Sequence, residues 1–280
     1  MKKLLLTISV LLIVFACTPP ANQDNTQPEE VSRPDISFEI SSPPAELELD
    51  PFYKKYLKVN GIHIISSYKV PDEALEAAGT TIHAMTNFLS PEVLNEMVKR
   101  DTRVAVMARY EGTTDIPEHA HLESDTTLNW DVRARGLGGS LRLPLTSCAE
   151  ENLLCYQIDK YHAEDILIHE FAHSIHGIGI ISVDSTFDDL LKQTLQNALD
   201  AGKYENTYAA TNFHEYWAEG VQNWFGVNAE VPEPDGKHNY VNTREELEVY
   251  DPELFAILAQ YFSVPAYNPS CHAKANLYTR

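Results

Sequence analysis

The sequence predicts an α+β fold in which a small mixed sheet packs against a helical carboxy-terminal half. In the amino-terminal half, two short apolar runs, 61–66 and 103–108, read as strands and enclose segments with helical spacing. The order of strand, helix and strand suggests a mixed sheet. The carboxy-terminal half has mostly helical spacing, so the sheet and the helices are expected to segregate along the chain.

Two helices are predicted between these strands. Apolar residues at helical spacing extend from 71 to about 89, and a second helix then runs to about Lys99, with Ser90 as N-cap and Pro91 at its first position. Further on, the alternating segment 140–145 contains a proline, which confines it to an edge position or a strand end. We therefore expect an edge strand that lines a cleft and can pair with an extended peptide.

The amino terminus has the order of an export signal: lysines, an apolar run, and a small residue before Cys17. Residues 14–17 resemble a bacterial lipobox, so we predict a signal peptide over 1–16 and a lipid anchor on Cys17, with an ordinary cleaved signal as the alternative. Residues 17–44 are rich in Pro, Glu, Asn, Gln and Ser and predict a disordered tether. The expected location is the cell envelope, with the outer membrane preferred because Thr18 is not the aspartate that retains many lipoproteins at the inner membrane.

The remaining residues, 45–280, suffice for a domain with a real core, divided into a mixed α/β half (45–145) and a helical half (146–280). The chain has 41 Asp and Glu residues against 21 Lys and Arg, a net charge of −20. Such a charge repels nucleic acid and anionic lipid headgroups. The acidic composition therefore argues against nucleic acid as a partner and for attachment to the membrane through lipid alone. The oligomeric state is open.

Three cysteines follow Cys17 in a compartment where disulfides persist. Cys148 and Cys155 flank a short loop and are predicted to pair, which leaves Cys271 alone. The competing arrangement joins Cys271 to one of the other two cysteines. A cysteine zinc site is not expected, because the chain has no C-x-x-C spacing.

The segment 169–173 spells H-E-x-x-H within a run of helical spacing. Residues four apart return to nearly the same helix face, so both imidazoles can bind one zinc ion while Glu170 lies beside it. The helix is predicted to begin near Asp159 as N-cap and to end at His176, where Gly177 offers a left-handed terminator. His176 is expected to line the cleft or to act as a cation at the helix end, near the ion without binding it.

A third ligand is expected downstream, on a second predicted helix. Glu215 and Glu219 lie one turn apart there and can face the first helix together. The structural alternative is that Glu215 only caps its own helix, because Asn212 and Glu215 also fit a capping box.

H-E-F-A-H, followed roughly forty residues later by a tyrosine, six residues and E-Y-W-A-E, resembles the catalytic domain of the anthrax lethal factor type. That gluzincin group includes the clostridial Pro-Pro endopeptidases. The resemblance covers about 166–225 and implies a zincin-like fold. It implies these roles: zinc ligands His169, His173 and Glu215, general base Glu170, an oxyanion contact from Tyr208, and support of a ligating histidine by Glu219. The chain lacks any toxin-like receptor-binding region, so the toxin's cell biology does not transfer.

The predicted activity is zinc-dependent hydrolysis of peptide bonds. Two neutral imidazoles and one carboxylate leave the ion positively charged with an open position, which lowers the pKa of bound water towards about 7. Glu170 would take the proton and Tyr208 would stabilise the oxyanion. Three other functions stay open: a lipoprotein that binds zinc or a partner without turnover, an interaction module with an accidental motif, and an amidase acting on cell-wall peptide crosslinks.

Overall fold

The structure, a computed structural model, describes residues 36–273. The predicted signal peptide and the lipidation of Cys17 lie outside the described residues and stay predictions. The described part contains a four-stranded sheet in the order β1, β2, β3 and β4. Its strands are β1 (Lys55–Val59), β2 (Ile62–Ser66), β3 (Arg103–Met107) and β4 (Leu145–Ala149).

Most of the helices in the described part follow β4, so the structure confirms an α+β fold with a small sheet and a helical carboxy-terminal half. The α-helices are α1 (Asp72–Thr86), α2 (Pro91–Lys99), α3 (Trp130–Arg133), α4 (Glu150–Leu153), α5 (Ile166–Ser174), α6 (Ile181–Val183), α7 (Phe187–Asp200), α8 (Phe213–Trp224), α9 (Arg244–Tyr250) and α10 (Pro252–Leu258). A π-helical segment, Ile175–Ile180, joins α5 to α6.

The sheet is mixed, as predicted. β1 and β2 form an antiparallel hairpin, whereas β2 with β3 and β3 with β4 pair in parallel. Asn60 and Gly61 make the hairpin turn with φ values of 48° and 89°, the left-handed conformation that a two-residue hairpin turn requires. Strand β1 was absent from the sequence prediction. The helix start at Pro91 is confirmed, because the Ser90 hydroxyl accepts a hydrogen bond from the Val93 N–H.

The predicted edge strand at 140–145 is displaced. The backbone bends there, with the Ser140 N–H donating to the Leu143 carbonyl at 2.8 Å, and the strand begins only at Leu145. The outer side of β4 is partly covered by Leu137, which exchanges two backbone hydrogen bonds with Ser147, of 3.3 and 2.9 Å. The outermost extended segment of this side is therefore the glycine-rich stretch around Leu137.

Ordered structure begins before the predicted domain boundary at residue 45. Ser41 pairs with Tyr56 of β1 through two backbone hydrogen bonds of 2.9 Å. The preceding apolar side chains pack against the main core: Ile36, Phe38 and Ile40. The part of the predicted tether over 36–44 is thus folded, because its alternating apolar residues find a surface to cover.

The predicted disulfide between Cys148 and Cys155 is wrong. Cys155 pairs with Cys271, 116 residues away, and Cys148 is a buried free thiol. Cys148 lies in β4, whose five residues are all buried, and packs in the main core, so closeness in sequence did not bring it to Cys155. His272 lies close to both bonded sulfurs, but a disulfide offers no thiolate to a metal.

Helix α5 is shorter at its start than predicted. Asp165 is the N-cap, with its carboxylate accepting from the Ile168 N–H at 2.8 Å. Asp159 lies in the preceding loop, where its carboxylate accepts a hydrogen bond from the Asn152 side chain of α4. The predicted stop at Gly177 is also wrong, because the chain continues there as a π-helical segment. The stretch Ile166–Val183 is long and apolar enough to cross a membrane, but 67% of it is buried in the protein, as expected for a core helix.

Candidate metal centre

Helices α5 and α8 lie against each other, and polar contacts define how α8 presents its face. The Asn212 side chain caps α8 by accepting from the backbone N–H groups of His214 and Glu215 at 2.9 and 3.1 Å. One turn later, the fully buried Trp217 donates its indole N–H to the Ala172 carbonyl of α5 at 2.9 Å. Because these contacts fix both the start and the rotation of α8, the Glu215 side chain faces α5.

Three donor atoms meet between the two helices. His169 Nε2 lies 3.1 Å from Glu215 Oε2 and 3.3 Å from His173 Nε2, and His173 Nε2 lies 3.5 Å from Glu215 Oε2. Ligand atoms about 2 Å from a tetrahedral zinc ion are separated from one another by roughly 3.3 Å. The spacing therefore fits zinc. The alternative in which Glu215 only caps its own helix is wrong, because its carboxylate lies with the two imidazoles.

A hydrogen-bond relay orients the His169 ring. Gln222 donates its amide N–H to the Asp165 carbonyl at 3.2 Å, so its amide oxygen faces His169 Nδ1 at 2.8 Å. Since that oxygen only accepts, Nδ1 carries the proton and Nε2 turns its lone pair towards the centre. The predicted support residue Glu219 lies 3.7 Å from Nδ1, beyond hydrogen-bond range, and instead accepts from Asn228.

Gln222 is thus a positioning residue that the sequence analysis missed. It follows Glu215 by seven residues, two helical turns on the same face of α8, so the helical period carried a usable signal. Oxygen acceptors behind a ligating imidazole typically set ring orientation and metal affinity.

The three converging donor atoms together favour binding of a positive charge. Burial lowers the pKa of His169, but the hydrogen bond to Glu215 and the charges of Glu170 and Glu219 outweigh burial and raise this pKa to about 10. Burial acts to raise the pKa of Glu215, yet hydrogen bonds to His169 and His173 hold it well below its usual range. Without metal the cluster holds a proton where a divalent cation fits.

Zinc binding at pH 8 should release about one proton from the full chain. His169 is protonated there in the metal-free protein, because its pKa is near 10, whereas a ligating imidazole must be neutral. Calorimetric zinc titrations in two buffers of different ionisation enthalpy measure the number released. With Glu215→Gln the number should fall, because the main anionic partner is lost; no net release from the parent protein would contradict the assignment.

The same raised pKa predicts how the metal-free protein responds to pH. The contribution of His169 to stability is complete below its unfolded value of 6.5 and is lost as the pH rises through about 10. The lowered pKa of Glu215 contributes stability above its unfolded value of 4.5, which is lost as the pH falls. Both contributions to stability are therefore complete only between pH 4.5 and pH 6.5, the unfolded pKa values of Glu215 and His169.

Gln222→Leu should weaken zinc binding by about 10- to 100-fold while the protein stays folded, because the nonpolar side chain of similar size removes the acceptor behind His169. Gln222→Glu keeps an acceptor and should bind zinc with near-parental affinity. Competition against a chromophoric chelator gives the affinities, and Gln193→Leu on the exposed side of α7 is the matched control. Equal affinities for Gln222→Leu and the parent would remove Gln222 from the centre.

A glycine segment packs directly on the ligand helix. A Cβ atom at Gly138 would lie 2.7 Å from the His173 Cβ, and one at Gly136 would lie 3.1 Å from the Glu170 Cγ. Only glycine allows the backbone to approach this closely. The segment 136–139 therefore forms a wall beside the half-buried Glu170.

Tyr208 lies beside the ring of His169. Its ring centroid is 6.3 Å from that of His169, and its backbone N–H donates to the Lys237 carbonyl at 2.7 Å. Burial and the charge of Glu215 raise the pKa of the phenol to about 12, although the Arg133 guanidinium beside it opposes the shift. The hydroxyl consequently keeps its proton at neutral pH and can donate a hydrogen bond.

His176 does not have its predicted position. It is fully buried, with Nε2 2.8 Å from Asp188 Oδ1, and packs among the rings of Phe187, Phe213 and Trp217. Burial lowers its pKa to about 4, against the hydrogen bond to Asp188. His176 is therefore a neutral core histidine; it neither lines the cleft nor acts as a cation at a helix end.

No family model matches the chain, and no curated protein matches it. Among solved structures, the Pro-Pro endopeptidase PPEP-2 from Paenibacillus alvei is similar at 16% sequence identity, with a TM-score of 0.48. The alignment covers 71% of this chain and 97% of that chain.

Proposed function

We propose that the protein is a zinc-dependent peptidase. The observation that carries the proposal is the meeting of two imidazole nitrogens and one carboxylate oxygen at zinc-like spacing, from His169, His173 and Glu215. A bound zinc ion would supply Lewis acidity and would lower the pKa of a coordinated water towards about 7. Glu170 directly follows the ligand His169 in sequence, and its carboxylate is not one of the three donors.

The chain's own groups divide the remaining work. Glu170 accepts the proton of the attacking water and returns it to the departing amine. The Tyr208 phenol, protonated at neutral pH, donates a hydrogen bond to the carbonyl oxygen as that oxygen gains negative charge. The hydrogen bond from His169 Nδ1 to Gln222 keeps the imidazole in the tautomer that binds metal.

The glycine wall supports an extended peptide as the substrate. Along an extended chain, successive residues turn their backbone polar groups to opposite sides. Leu137 directs its N–H and carbonyl to Ser147 of β4, so the polar groups of its neighbours Gly136 and Gly138 point away from the sheet. Gly136 is buried and Gly138 is exposed, so a peptide can pair with the polar groups of Gly138 by strand addition, beside His173.

We also propose that the enzyme works in the cell envelope, held by lipid on Cys17. The disulfide between Cys155 and Cys271 supports an oxidising compartment, where such bonds persist. Incorporation of a radiolabelled fatty acid by the full chain, and its loss with Cys17→Ser, tests the anchor.

Metal analysis of the full chain, combined with mass-spectrometric profiling of a proteome-derived peptide library, tests the function. One zinc per chain and cleavage that fails in Glu170→Gln would support the peptidase. Stoichiometric zinc without cleavage would favour a binding protein, and absence of metal would favour an interaction module. Release of fragments from purified peptidoglycan alone would identify a cell-wall amidase.

A further inference from the structure

Three basic residues lie on segments that approach one another near Tyr208, in a protein whose net charge is −20. They are Arg133, Lys160 and Lys237, here called the basic cluster. They come from three separate segments: α3, the loop before α5, and the loop between α8 and α9.

Short contacts bring these segments together. The Lys160 ammonium donates to the carbonyl of Val132, the neighbour of Arg133 in α3, at 2.7 Å. The Arg133 guanidinium lies beside the Tyr208 hydroxyl. The carbonyl of Lys237 accepts the Tyr208 backbone N–H at 2.7 Å. The Arg133 and Lys237 segments therefore contact Tyr208 directly, and the Lys160 loop joins them through α3.

The basic cluster has no anionic partner within the described residues. Most other Lys and Arg side chains in the described part do pair, as in Lys55 with Asp72 at 2.5 Å and Arg135 with Glu151 at 2.6 Å. None of the three cluster residues has a carboxylate within ion-pair distance in residues 36–273. Burial lowers the pKa of Lys160, and the positive charges of neighbouring Arg and Lys side chains, Arg133 and Lys237 among them, lower it further against the opposing charge of Glu151.

Like charges collected without a counter-ion are unfavourable, so an arriving anion is attracted to this place. Arg133 presents a planar fork of donors that suits a carboxylate, and the exposed Lys237 adds a mobile charge.

We propose that the basic cluster binds a carboxylate of the peptide substrate and makes the protein select acidic peptides. This inference rests on the proposed peptidase function, because it places the carboxylate next to the bond held at Tyr208. The carboxylate belongs either to a Glu or Asp side chain or to the free end of the peptide, and the experiment separates the two sources.

The test measures peptide retention on the immobilised full chain carrying Glu170→Gln, which binds without needing turnover. The probes are N-acetylated, C-amidated random octapeptides with Glu fixed at one position in turn, the same set with Gln, and the Gln set with a free carboxyl end. We expect one or two Glu positions to be retained roughly 5-fold better than Gln, the scale of one ion pair near the surface. Retention of the free-end set alone would instead place the chain terminus in the cluster.

Lys237→Glu supplies the decisive variant, because its side chain is exposed and forms no ion pair in the described part of the chain. The preference for Glu should vanish or reverse. Lys58→Glu is the matched control: it changes the net charge equally but lies on β1, at the opposite edge of the sheet from β4. Equal retention of the Glu, Gln and free-end sets, or an equal effect of both variants, would overturn the inference.

The two proposals fail in different ways. If acidic peptides are retained but the wild-type protein cleaves none of them, the peptidase function fails and the carboxylate site stands. If peptides are cleaved with no preference for a carboxylate at any position, the peptidase function stands and the carboxylate site fails.

Discussion

Glu170→Gln should leave zinc bound and lower peptide hydrolysis by about 100- to 10,000-fold, the usual contribution of a positioned general base. The amide has nearly the same size as the carboxylate but cannot accept a proton at neutral pH. Glu170 is not one of the three converging donors, so the affinity for metal should stay close to that of the parent. Loss of activity with retained metal distinguishes a base from a ligand.

The measurement needs three readouts on the same preparation: zinc per chain, the thermal unfolding midpoint, and the single-turnover cleavage rate of a peptide found by library profiling. Glu248→Gln, an exposed change on α9, controls for loss of one negative charge. Turnover of Glu170→Gln equal to that of the control would refute the role of Glu170. Loss of zinc in Glu170→Gln would place its carboxylate on the metal instead.

Reduction of the disulfide between Cys155 and Cys271 should lower the free energy of unfolding by about 2–5 kcal/mol. The bond closes a loop of 116 residues, so its removal frees a large part of the unfolded chain. Denaturant unfolding with and without reductant measures the change. The double variant Cys155→Ser, Cys271→Ser should unfold like the reduced protein and should not respond to reductant.

The disulfide also bears on the metal centre through Asn152. The neighbouring His272 lies 2.8 Å from the Asn152 carbonyl, and the Asn152 side chain accepts the Ile166 N–H at 2.8 Å, in the first turn of α5. Reduction should therefore weaken zinc binding as well as stability. An unchanged unfolding midpoint after complete reduction would show that the tail is held without the bond.

Local sequence signals predicted the elements that depend on neighbouring residues. Ser90-Pro91 marked the start of α2, and the spacing of His169 and His173 placed both on one helix face. Asn60-Gly61 was an equally local hairpin signal, and recognising it would have revealed β1.

The errors arose where distant residues compete for one role. Asp159 and Asp165 are both suitable N-caps, and contacts outside the helix decide between them: the Asp159 carboxylate accepts from Asn152, and the Asp165 backbone N–H donates to the distant Val227 carbonyl. Cys155 has a cysteine seven residues away, yet its partner lies at the other end of the folded chain. The basic cluster has no sequence pattern, since its members become neighbours only when α3 and two loops come together in the fold.

The contacts that align α5 with α8 involve no metal: a buried indole, the Asn212 cap and the Gln222 relay hold the donors ready. Acquiring the ion is therefore separable from folding. If the chain is exported, as the predicted signal peptide implies, it can complete its fold first and bind zinc afterwards from its surroundings. The active fraction would then follow ambient zinc, and stripping by a chelator would be reversed simply by restoring the ion.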